Sequence, residues 1–367
     1  MPVSTLSFDP ARTSSAPGLA MGFERWRADT RALVLDELTE FLRRVRVAEL
    51  RATGVDDVLA QYALGGKCLR STFMYLGWLC AADPDPAALR ASASLELLHA
   101  FALLQDDVMD AAVLRRGSAA AHLRLAAPHR GGPETPPRFG ESAAILLGDM
   151  CLVWAEQMLR DSGVGAVELA RLWPRYDAMR VELAMGQLAD LANDTRERPT
   201  LDTVLDIARA KSGNYTVRRP LELGAALAGA TGSTLKALGH YGTRIGEAFQ
   251  LRDDLLGIFG AASITGKPQD SDLGQHKATS VVVAALDMAE AHARRELSEL
   301  LDRPELDAAA IERCRTLIAA SGAAERIESM IADRVTDALL ALRTGALGPG
   351  PRHALEQMAL LCTARQL

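Results

Sequence analysis

Three aspartates lie in an apolar stretch of the chain, LLQDDVMDAAVLRRG, at residues 103–117. On a helix, Asp106 and Asp110 are one turn apart and project from one face, whereas Asp107 points about 100° away. A pair of carboxylates at this spacing suits Mg²⁺, which prefers one or two protein carboxylates together with phosphate oxygens and water. A solvated acidic helix face would show the same spacing, but the apolar flanks AFALL and AAVL favour the magnesium site.

A second acidic pair, Asp253 and Asp254, lies in EAFQLRDDLLGIFG, again inside an apolar segment. Two such pairs on separate helices could face each other across a cavity, where multivalent cations would have to offset their repulsion. Two unrelated surface aspartates are the alternative. The similarity of the two segments favours a shared metal site.

Several basic side chains lie beside glycines or beside the acidic motifs. The segment GGKCLR places Lys67 and Arg70 where a loop would enter a helix, and such a position favours phosphate. It is not a P-loop, because Gln61 replaces the first glycine and Cys68 replaces the Ser or Thr that binds Mg²⁺. Each base alone could be a solvated surface residue, but their repeated placement favours an anionic ligand. The other candidates are Arg115, Arg116, Lys211 with Ser212 and Tyr215, Lys267, Lys277, and His99 seven residues before Asp106.

The elements that must position these residues are predicted to be helices. Apolar residues recur at three- and four-residue spacing from Phe23 onward, Ala and Leu dominate, and strand-like alternation is nearly absent. Several helices are apolar nearly all round, as at the centre of a large bundle. No linker or internal repeat divides the chain. The sequence therefore predicts one all-α domain over residues 23–367, after a flexible N-terminal arm at 1–22.

The bulk composition narrows the class of protein. Of the 367 residues 49% are apolar and 24% are charged, with a net charge of -6, which is ordinary for a soluble globular protein and excludes a basic nucleic-acid-binding surface. The five cysteines lie far apart with no C-x-x-C pair, which is typical of reduced thiols rather than of disulfides or a zinc site. No apolar run approaches the roughly 18 residues of a membrane span. We expect a cytoplasmic protein without a membrane span.

Carboxylates for a metal, bases for phosphate and long apolar helices together predict a pocket for a substrate with a diphosphate head and a hydrocarbon tail. Mg²⁺ and bases would neutralise a departing pyrophosphate. A dry cavity would protect the allylic carbocation that remains.

The motifs and their order resemble the trans-prenyl diphosphate synthases, the polyprenyl synthetase family. The resemblance runs from about Leu64 to Lys277 through GGKCLR, ELLHAFALLQDDVMD, RRG, GD at 148–149, GQLADL, KSGNYT, FQLRDDLLGIFG and TGKPQDSDL. It implies a Mg²⁺-dependent head-to-tail condensation of isopentenyl diphosphate with an allylic diphosphate, in which the released pyrophosphate accepts the proton. It also implies an all-α bundle around a central active-site cavity and a homodimer.

The resemblance implies a role for each matched position. Asp106, Asp110 and Asp253 would bind two or three Mg²⁺ ions bridged by the allylic diphosphate, with Asp107 and Asp254 supporting them. The allylic diphosphate would be held by Arg115, Lys211 and Lys267. Isopentenyl diphosphate would be held by Lys67, Arg70, His99 and Arg116. The reacting centre would be lined by Ser212, Tyr215, Gln187, Asp190 and Gln250, and Lys277 completes the substrate-binding set.

The sequence also departs from the family pattern. Cys68 replaces a residue that is often basic, Gln105 stands where many relatives have His, Gly257 replaces a frequent third Asp of the second motif, and Ala261 lacks a frequent acid. Since some relatives that resemble geranylgeranyl synthases carry DDLLG, we interpret the second motif as a variant.

Product length would be set upstream of the first motif, where Phe101 is bulky and lies five residues before Asp106. This favours a C20 product, with C15 second, although Phe101 could also be a core residue. A class I terpene cyclase and a non-catalytic partner subunit of an active synthase are the alternative functions.

Overall fold

The computed structural model describes residues 22–45, 54–126, 137–193, 198–260 and 271–364. Within these ranges every regular element is a helix, apart from one two-stranded hairpin. The predicted all-α class is therefore confirmed. The predicted N-terminal arm, apart from its last residue, lies outside the described residues.

Contacts along the chain divide it into two compact units, where the sequence alone predicts a single domain. The first unit comprises Met1–Trp173, Pro220–Thr231 and Leu347–Ala354. The second comprises Pro174–Arg219, Gly232–Ala346 and Leu355–Leu367.

The first unit is built around a long helix, α4, which is buried along most of its length. The Asp85 carboxylate caps the start of α4 by accepting a hydrogen bond from the Ala87 N–H at 2.7 Å. Pro86 is the first helical residue, where the missing N–H of proline leaves no donor unsatisfied. Its helices and strands are α1 (Phe23–Arg44), α2 (Val55–Leu64), α3 (Leu69–Leu79), α4 (Pro86–Met109), β1 (Leu114–Arg115), β2 (Ser118–Ala119), α5 (Ala121–Ala126) and α6 (Pro137–Arg160).

Helices carry the chain from one unit to the other. α7 (Ala166–Asn193) contains Pro174 at the point where the first unit ends. After α8 (Leu201–Ala208) and a π-helix (Arg209–Arg218), α9 (Arg219–Leu227) returns the chain to the first unit.

The second unit has its own apolar core. Leu251, Leu255 and Ile258 of α10 pack in one cluster with apolar residues from the helices that follow. Arg252 of α10 donates twice to the Glu328 carboxylate, at 2.6 Å each, and ties α10 to α15. Its later helices are α10 (Gly232–Phe259), α11 (Ser271–Gly274), α12 (Ser280–Met288), α13 (Ala291–Leu301), α14 (Ala308–Ala320) and α15 (Ala323–Ala341). The last helix, α16 (Pro349–Thr363), begins in the first unit and belongs to the second from Leu355 onward.

The π-helix is a ten-residue segment that carries three of the predicted site residues. Wide i→i+5 turns are rare and are frequently found at functional sites. Close backbone packing holds this one, because a side chain at Gly186 of α7 would meet the Lys211 backbone and one at Gly246 of α10 would meet the Gly213 backbone. The wide turns thus fit against glycines on both neighbouring helices.

Two helices, Pro86–Met109 and Arg138–Arg160, are long and apolar enough to span a membrane by length and composition. The apolar stretch of the first is 72% buried inside the protein, as expected of a core helix, and that of the second is 39% buried.

Candidate active site

The first acidic motif forms the last turn of α4. The Asp110 N–H donates to the Asp106 carbonyl at 2.8 Å, so the helical register holds through the motif and places the two carboxylates one turn apart. The helix then stops in a Schellman turn, in which Ala111 has a φ of 47° and the Ala112 N–H donates to the Asp107 carbonyl at 2.9 Å. A helix C-terminus carries partial negative charge, so it adds to the carboxylates in attracting a cation.

Asp107 points away from this pair and is fully buried. One carboxylate oxygen accepts the hydroxyl of Tyr62, and the other accepts the Arg115 Nε at 2.7 Å and its Nη2. Arg115 Nη2 also lies 3.3 Å from the Asp106 carboxylate. Burial lowers the pKa of Arg115, but the hydrogen bonds and charge of Asp107 outweigh it, so the net shift is upward and the guanidinium stays charged.

A tight hairpin sends the two adjacent arginines to different partners. Leu114 pairs with Ala119 and Arg115 with Ser118, and the turn residues Arg116 and Gly117 have φ of 53° and 77°. Two positive φ values are what a two-residue hairpin turn requires. Arg115 therefore lies on the strand beside Asp107. Arg116 lies at the turn and donates to the backbone carbonyl of Gln61 at 2.7 Å.

The segment GGKCLR leads into α3, as predicted. Cys68 precedes the helix in the left-handed conformation, with φ of 51°, Lys67 is exposed in the loop, and Arg70 is in the first turn. Burial raises the pKa of Cys68 to about 12, so the side chain that replaces a frequent base remains a neutral thiol.

Two residues that the sequence analysis did not single out hold this segment. Glu96 of α4 is buried and accepts the Ser71 hydroxyl at 2.8 Å and the Ser71 N–H at 3.3 Å, at the start of α3. Arg31 of α1 donates its Nε to the Gly66 carbonyl at 3.0 Å. A side chain added at Gly66 would lie 3.3 Å from the Arg116 guanidinium, so Arg116 lies against the same loop.

His99 lies on α4 near the same arginines. Burial lowers its pKa well below the usual range, and the positive charges of Arg70, Arg116 and Arg115 lower it further. The ring is therefore neutral at physiological pH. It can hydrogen-bond to an anion without adding charge to the site.

The second acidic motif lies in α10, in the other unit. Asp253 is half-buried, and Asp254 is buried inside the unit. Asp254 Oδ1 accepts the Gln250 amide at 2.8 Å, and its Oδ2 accepts the Ser280 N–H at 3.0 Å and the Ser280 hydroxyl at 2.6 Å. The predicted lining residue Gln250 is thus a partner of Asp254.

Lys211 of the π-helix meets Asp190 of α7, with its Nζ 2.6 Å from the Asp190 Oδ2. Gly186, at the start of the GQLADL motif, allows the close approach that this pair needs. Glu182 of α7, one turn earlier, binds Asn214 at 2.6 Å and Arg219 at 2.7 Å. Three points on α7 therefore fix the segment that carries Lys211.

The start of the π-helix is tied to α10 by Glu247, which, like Glu96 and Glu182, was not predicted from the sequence. Glu247 is 4% exposed and accepts Arg209 Nε at 2.6 Å, Arg334 Nε at 2.9 Å and Arg244 Nη1 at 3.2 Å. In the sequence, Glu247 stands out only as a charged residue within an apolar helical segment, three residues before Gln250.

The remaining predicted residues lie on three elements. Ser212 and Tyr215 lie in the π-helix, Gln187 in α7 and Lys277 just before α12, with Tyr215 buried and the other three half-buried. Gln105 donates to the Ile145 carbonyl at 3.3 Å and to Asp149 at 3.4 Å, and so links α4 to the GD motif of α6. Lys267 and Ala261 lie outside the described residues.

The donor set fits magnesium. Among the residues that the structure describes, no three His, Cys, Asp or Glu side chains are grouped closely enough to hold a metal ion. Both Asp107 oxygens accept protein donors, and Asp106 and Asp110 are the two half-buried carboxylates of the first motif that could hold a metal. Mg²⁺ accepts this arrangement, since it commonly takes one or two carboxylates and completes its shell with substrate phosphate and water.

The sequence profile of the family described as Polyprenyl synthetase matches residues 54–318. A geranylgeranyl diphosphate synthase of Mycobacterium tuberculosis is 31% identical over 351 residues, which cover 94% of this chain and 95% of that relative. A (2E,6E)-farnesyl diphosphate synthase of Mycobacterium bovis is 37% identical over 237 residues, which cover 65% of this chain and 61% of that relative.

A solved structure is similar over nearly the whole chain. It is a geranylgeranyl pyrophosphate synthase from Corynebacterium glutamicum, crystallised with isoprenyl diphosphate and magnesium. It is 35% identical, covers 92% of this chain and 99% of its own, and superposes with a TM-score of 0.86. The similarity confirms the isoprenoid synthase fold that the motifs imply.

Proposed function

Because this chain belongs to the polyprenyl synthetase family and is a prenyltransferase, we propose that it condenses isopentenyl diphosphate with an allylic diphosphate in a Mg²⁺-dependent reaction. The bond between C1 and the diphosphate oxygen of the allylic substrate breaks, and a bond to isopentenyl diphosphate forms. Loss of one proton then gives the elongated diphosphate, with pyrophosphate as the second product.

The geometry of the first motif carries this proposal. Asp106 and Asp110 stand on one face at the negative end of α4, and Arg115 lies beside them with Asp107 as its counterion. Carboxylates for a cation and a guanidinium for an anion thus meet at one place, which is what a metal-bound diphosphate requires.

Magnesium would neutralise the leaving diphosphate and orient it. The chain's own residues would bind and position: Asp106, Asp110 and Asp253 would hold metal, and Arg115, Lys211 and Lys267 would hold the allylic diphosphate. Lys67, Arg70, His99 and Arg116 hold isopentenyl diphosphate. Arg115 and Lys211 each lie against an aspartate, so each can shift part of its hydrogen bonding to a phosphate oxygen when substrate binds.

We propose that two or three Mg²⁺ ions bind together with the allylic diphosphate. The first motif supplies one pair of carboxylates, and the second supplies Asp253 with no acid at Gly257. Each ion would then have few protein ligands, so the diphosphate must supply several oxygens, and metal and diphosphate should bind together.

For product length we favour C20, with C15 second. The support is Phe101, which is half-buried although Leu98, Ala100 and Leu104 around it are fully buried. Its ring therefore faces away from the packed core and can limit the space for a growing chain.

Replacing Phe101 by Ala tests the length proposal. We expect products at least one C5 unit longer, detected by chromatography of the dephosphorylated alcohols, because the substitution removes a bulky ring from the space. The control is Leu104→Ala, which shortens a fully buried side chain of the same helix and should lower stability without shifting product length. An unchanged product length in Phe101→Ala would make the ring a core residue.

We also propose a homodimer. Phe139, Leu146 and Val153 recur every seven residues on α6 and are 49%, 62% and 60% exposed, so one helix face presents an apolar stripe. Leu146→Glu should shift the sedimentation coefficient to that of a monomer, whereas Val167→Glu, an equally exposed position off the stripe, should not. A monomeric wild type would refute the proposal.

One set of incubations tests the main proposal and its rivals. The purified chain is given Mg²⁺ and dimethylallyl, geranyl or farnesyl diphosphate, each with and without isopentenyl diphosphate. Elongated diphosphate supports the synthase. Hydrocarbon formed without isopentenyl diphosphate indicates a terpene cyclase, and no product in any mixture indicates a non-catalytic partner subunit.

A further inference from the structure

We infer that Tyr62, which belongs to none of the motifs, positions the first acidic motif by holding Asp107 and through it Arg115. The inference rests on the proposed function, because the group being positioned is the one that would bind the allylic diphosphate. Tyr62 lies at the end of α2, and its contact with Asp107 spans 45 residues of sequence.

The Tyr62 hydroxyl is a junction between three elements. It donates to the Asp107 carboxylate of α4 and accepts the Ala121 N–H, the first of α5, at 2.9 Å. Tyr62 is 2% exposed, and Asp107 and Ala121 are fully buried, so water does not compete for these hydrogen bonds. Burial and the negative charge of Asp107 raise the pKa of Tyr62, so the hydroxyl keeps its proton and remains a donor.

The hydrogen bond from Tyr62 determines which oxygen of the Asp107 carboxylate is available to Arg115. With one oxygen committed to Tyr62, only the other faces Arg115, which it binds through Nε at 2.7 Å and through Nη2. Arg115 Nη2 can then also reach Asp106, at 3.3 Å. Without the hydroxyl, Asp107 would have a buried oxygen to satisfy, and turning that oxygen to Arg115 would draw the guanidinium away from Asp106 and from substrate.

Asp107, the second of the two adjacent aspartates, is therefore not expected to be a metal ligand. Arg115 neutralises its charge at one carboxylate oxygen, and Tyr62 donates a hydrogen bond to the other. Tyr62 therefore acts as a positioning residue, since its hydroxyl binds Asp107 and the Ala121 N–H and it works through Asp107.

The test compares Tyr62→Phe with Tyr241→Phe. Tyr241 is fully buried, and its hydroxyl donates to the Leu355 carbonyl at 2.6 Å, so the control also loses one buried hydrogen bond, but to a backbone group. Binding of inorganic pyrophosphate in MgCl₂ is measured by titration calorimetry. Steady-state KM values are measured for geranyl and isopentenyl diphosphate.

For Tyr62→Phe we expect about tenfold weaker pyrophosphate binding, the size of one hydrogen bond to a charged group. The KM for geranyl diphosphate should rise by about the same factor. The KM for isopentenyl diphosphate should stay within about twofold of wild type, as should all three values in Tyr241→Phe. In an Asp107→Asn background, Tyr62→Phe should add no further loss, because the residue through which it acts is already changed.

Unchanged pyrophosphate binding in Tyr62→Phe, or an equal loss in Tyr241→Phe, would overturn the inference. If Tyr62→Phe does not fold, Ala121→Pro removes the N–H on the other side of the hydroxyl, at a first helical position where proline is accepted, and should weaken pyrophosphate binding in the same direction. If the wild type makes no elongated product yet its pyrophosphate binding depends on Tyr62 in this way, the proposed function fails and the positioning role stands.

Discussion

The two acidic motifs have the same pair of adjacent aspartates but support them with different chemistry. In both, the second aspartate is buried and each of its oxygens accepts protein donors. Asp107 is held by a guanidinium and a phenol, whereas Asp254 is held by neutral donors of Gln250 and Ser280. The first motif therefore holds its buried aspartate with a charged guanidinium, whereas Gln250 and Ser280 bring neutral donors to the buried aspartate of the second.

The difference follows from the number of acids in each motif. The first has three carboxylates at the negative end of a helix, and burying one of them without a cation would be costly. The second has two, because Gly257 stands where a third would be, and Asp253 lies more than one turn before the end of α10. In each motif the two adjacent aspartates therefore have different roles. The first, Asp106 or Asp253, would bind the ligand, and the second, Asp107 or Asp254, anchors its helix to neighbouring residues.

The largest expected effect tests the outward-facing aspartates. Asp106→Ala should lower kcat/KM by about a thousandfold, because it removes a carboxylate that would hold the metal. Asp253→Ala should lower it by about a hundredfold. The control is Asp161→Ala, an exposed aspartate after α6, which should leave activity unchanged. Near wild-type turnover in Asp106→Ala, measured over a Mg²⁺ series, would contradict the assignment.

The second prediction concerns the anchoring aspartates. Asp107→Asn leaves Arg115, whose side chain is 17% exposed, without its main counterion, so we expect a loss of about 3 kcal/mol in the free energy of unfolding. Asp254→Asn weakens the hydrogen bonds from Gln250 and Ser280 and should cost about 1 kcal/mol. Urea unfolding of both variants measures the two losses and checks that the loss in Asp107→Asn is the larger. Equal losses would mean that the charge of Arg115 does not distinguish the motifs.

The spacing of residues along the sequence was sufficient to predict part of this site. The helices, the shared face of Asp106 and Asp110, and the loop entering α3 follow from contacts within a few residues, and these are what periodicity and glycine placement report. The hairpin was not predicted, although Arg116 and Gly117 at positive φ form its turn. A two-residue strand is too short to show alternation.

Contacts between distant segments could not be predicted from spacing. Tyr62 and Asp107 are 45 residues apart, and Glu247 and Arg334 are 87 apart. Each of these residues looks like an ordinary helix residue until the fold brings the pair together. The π-helix was missed for the same reason, since its wide turns depend on glycines of α7 and α10 that lie outside it.

The third prediction converts the second motif toward the first. Gly257 follows Asp253 by four residues in α10, so Gly257→Asp would recreate the spacing of Asp106 and Asp110. We expect the Mg²⁺ concentration for half-maximal activity to fall about threefold, because one more carboxylate becomes available to the metal. Gly257→Asn, with similar volume and no charge, is the control and should not lower it. An unchanged Mg²⁺ requirement in Gly257→Asp would show that position 257 does not face the metal.

The smallest expected effect concerns how the helix of the first motif ends. Ala111 closes α4 in the left-handed region, with φ of 47°, where a side chain is disfavoured and glycine is usual. Ala111→Gly should therefore raise the free energy of unfolding by about 0.5 kcal/mol, since relief of strain slightly exceeds the added entropy of the unfolded chain. Ala178→Gly, at an exposed position inside α7, should instead lower it by about 1 kcal/mol. A loss of stability in Ala111→Gly would mean that its methyl group, and not the Schellman hydrogen bonds alone, holds the turn that presents Asp110.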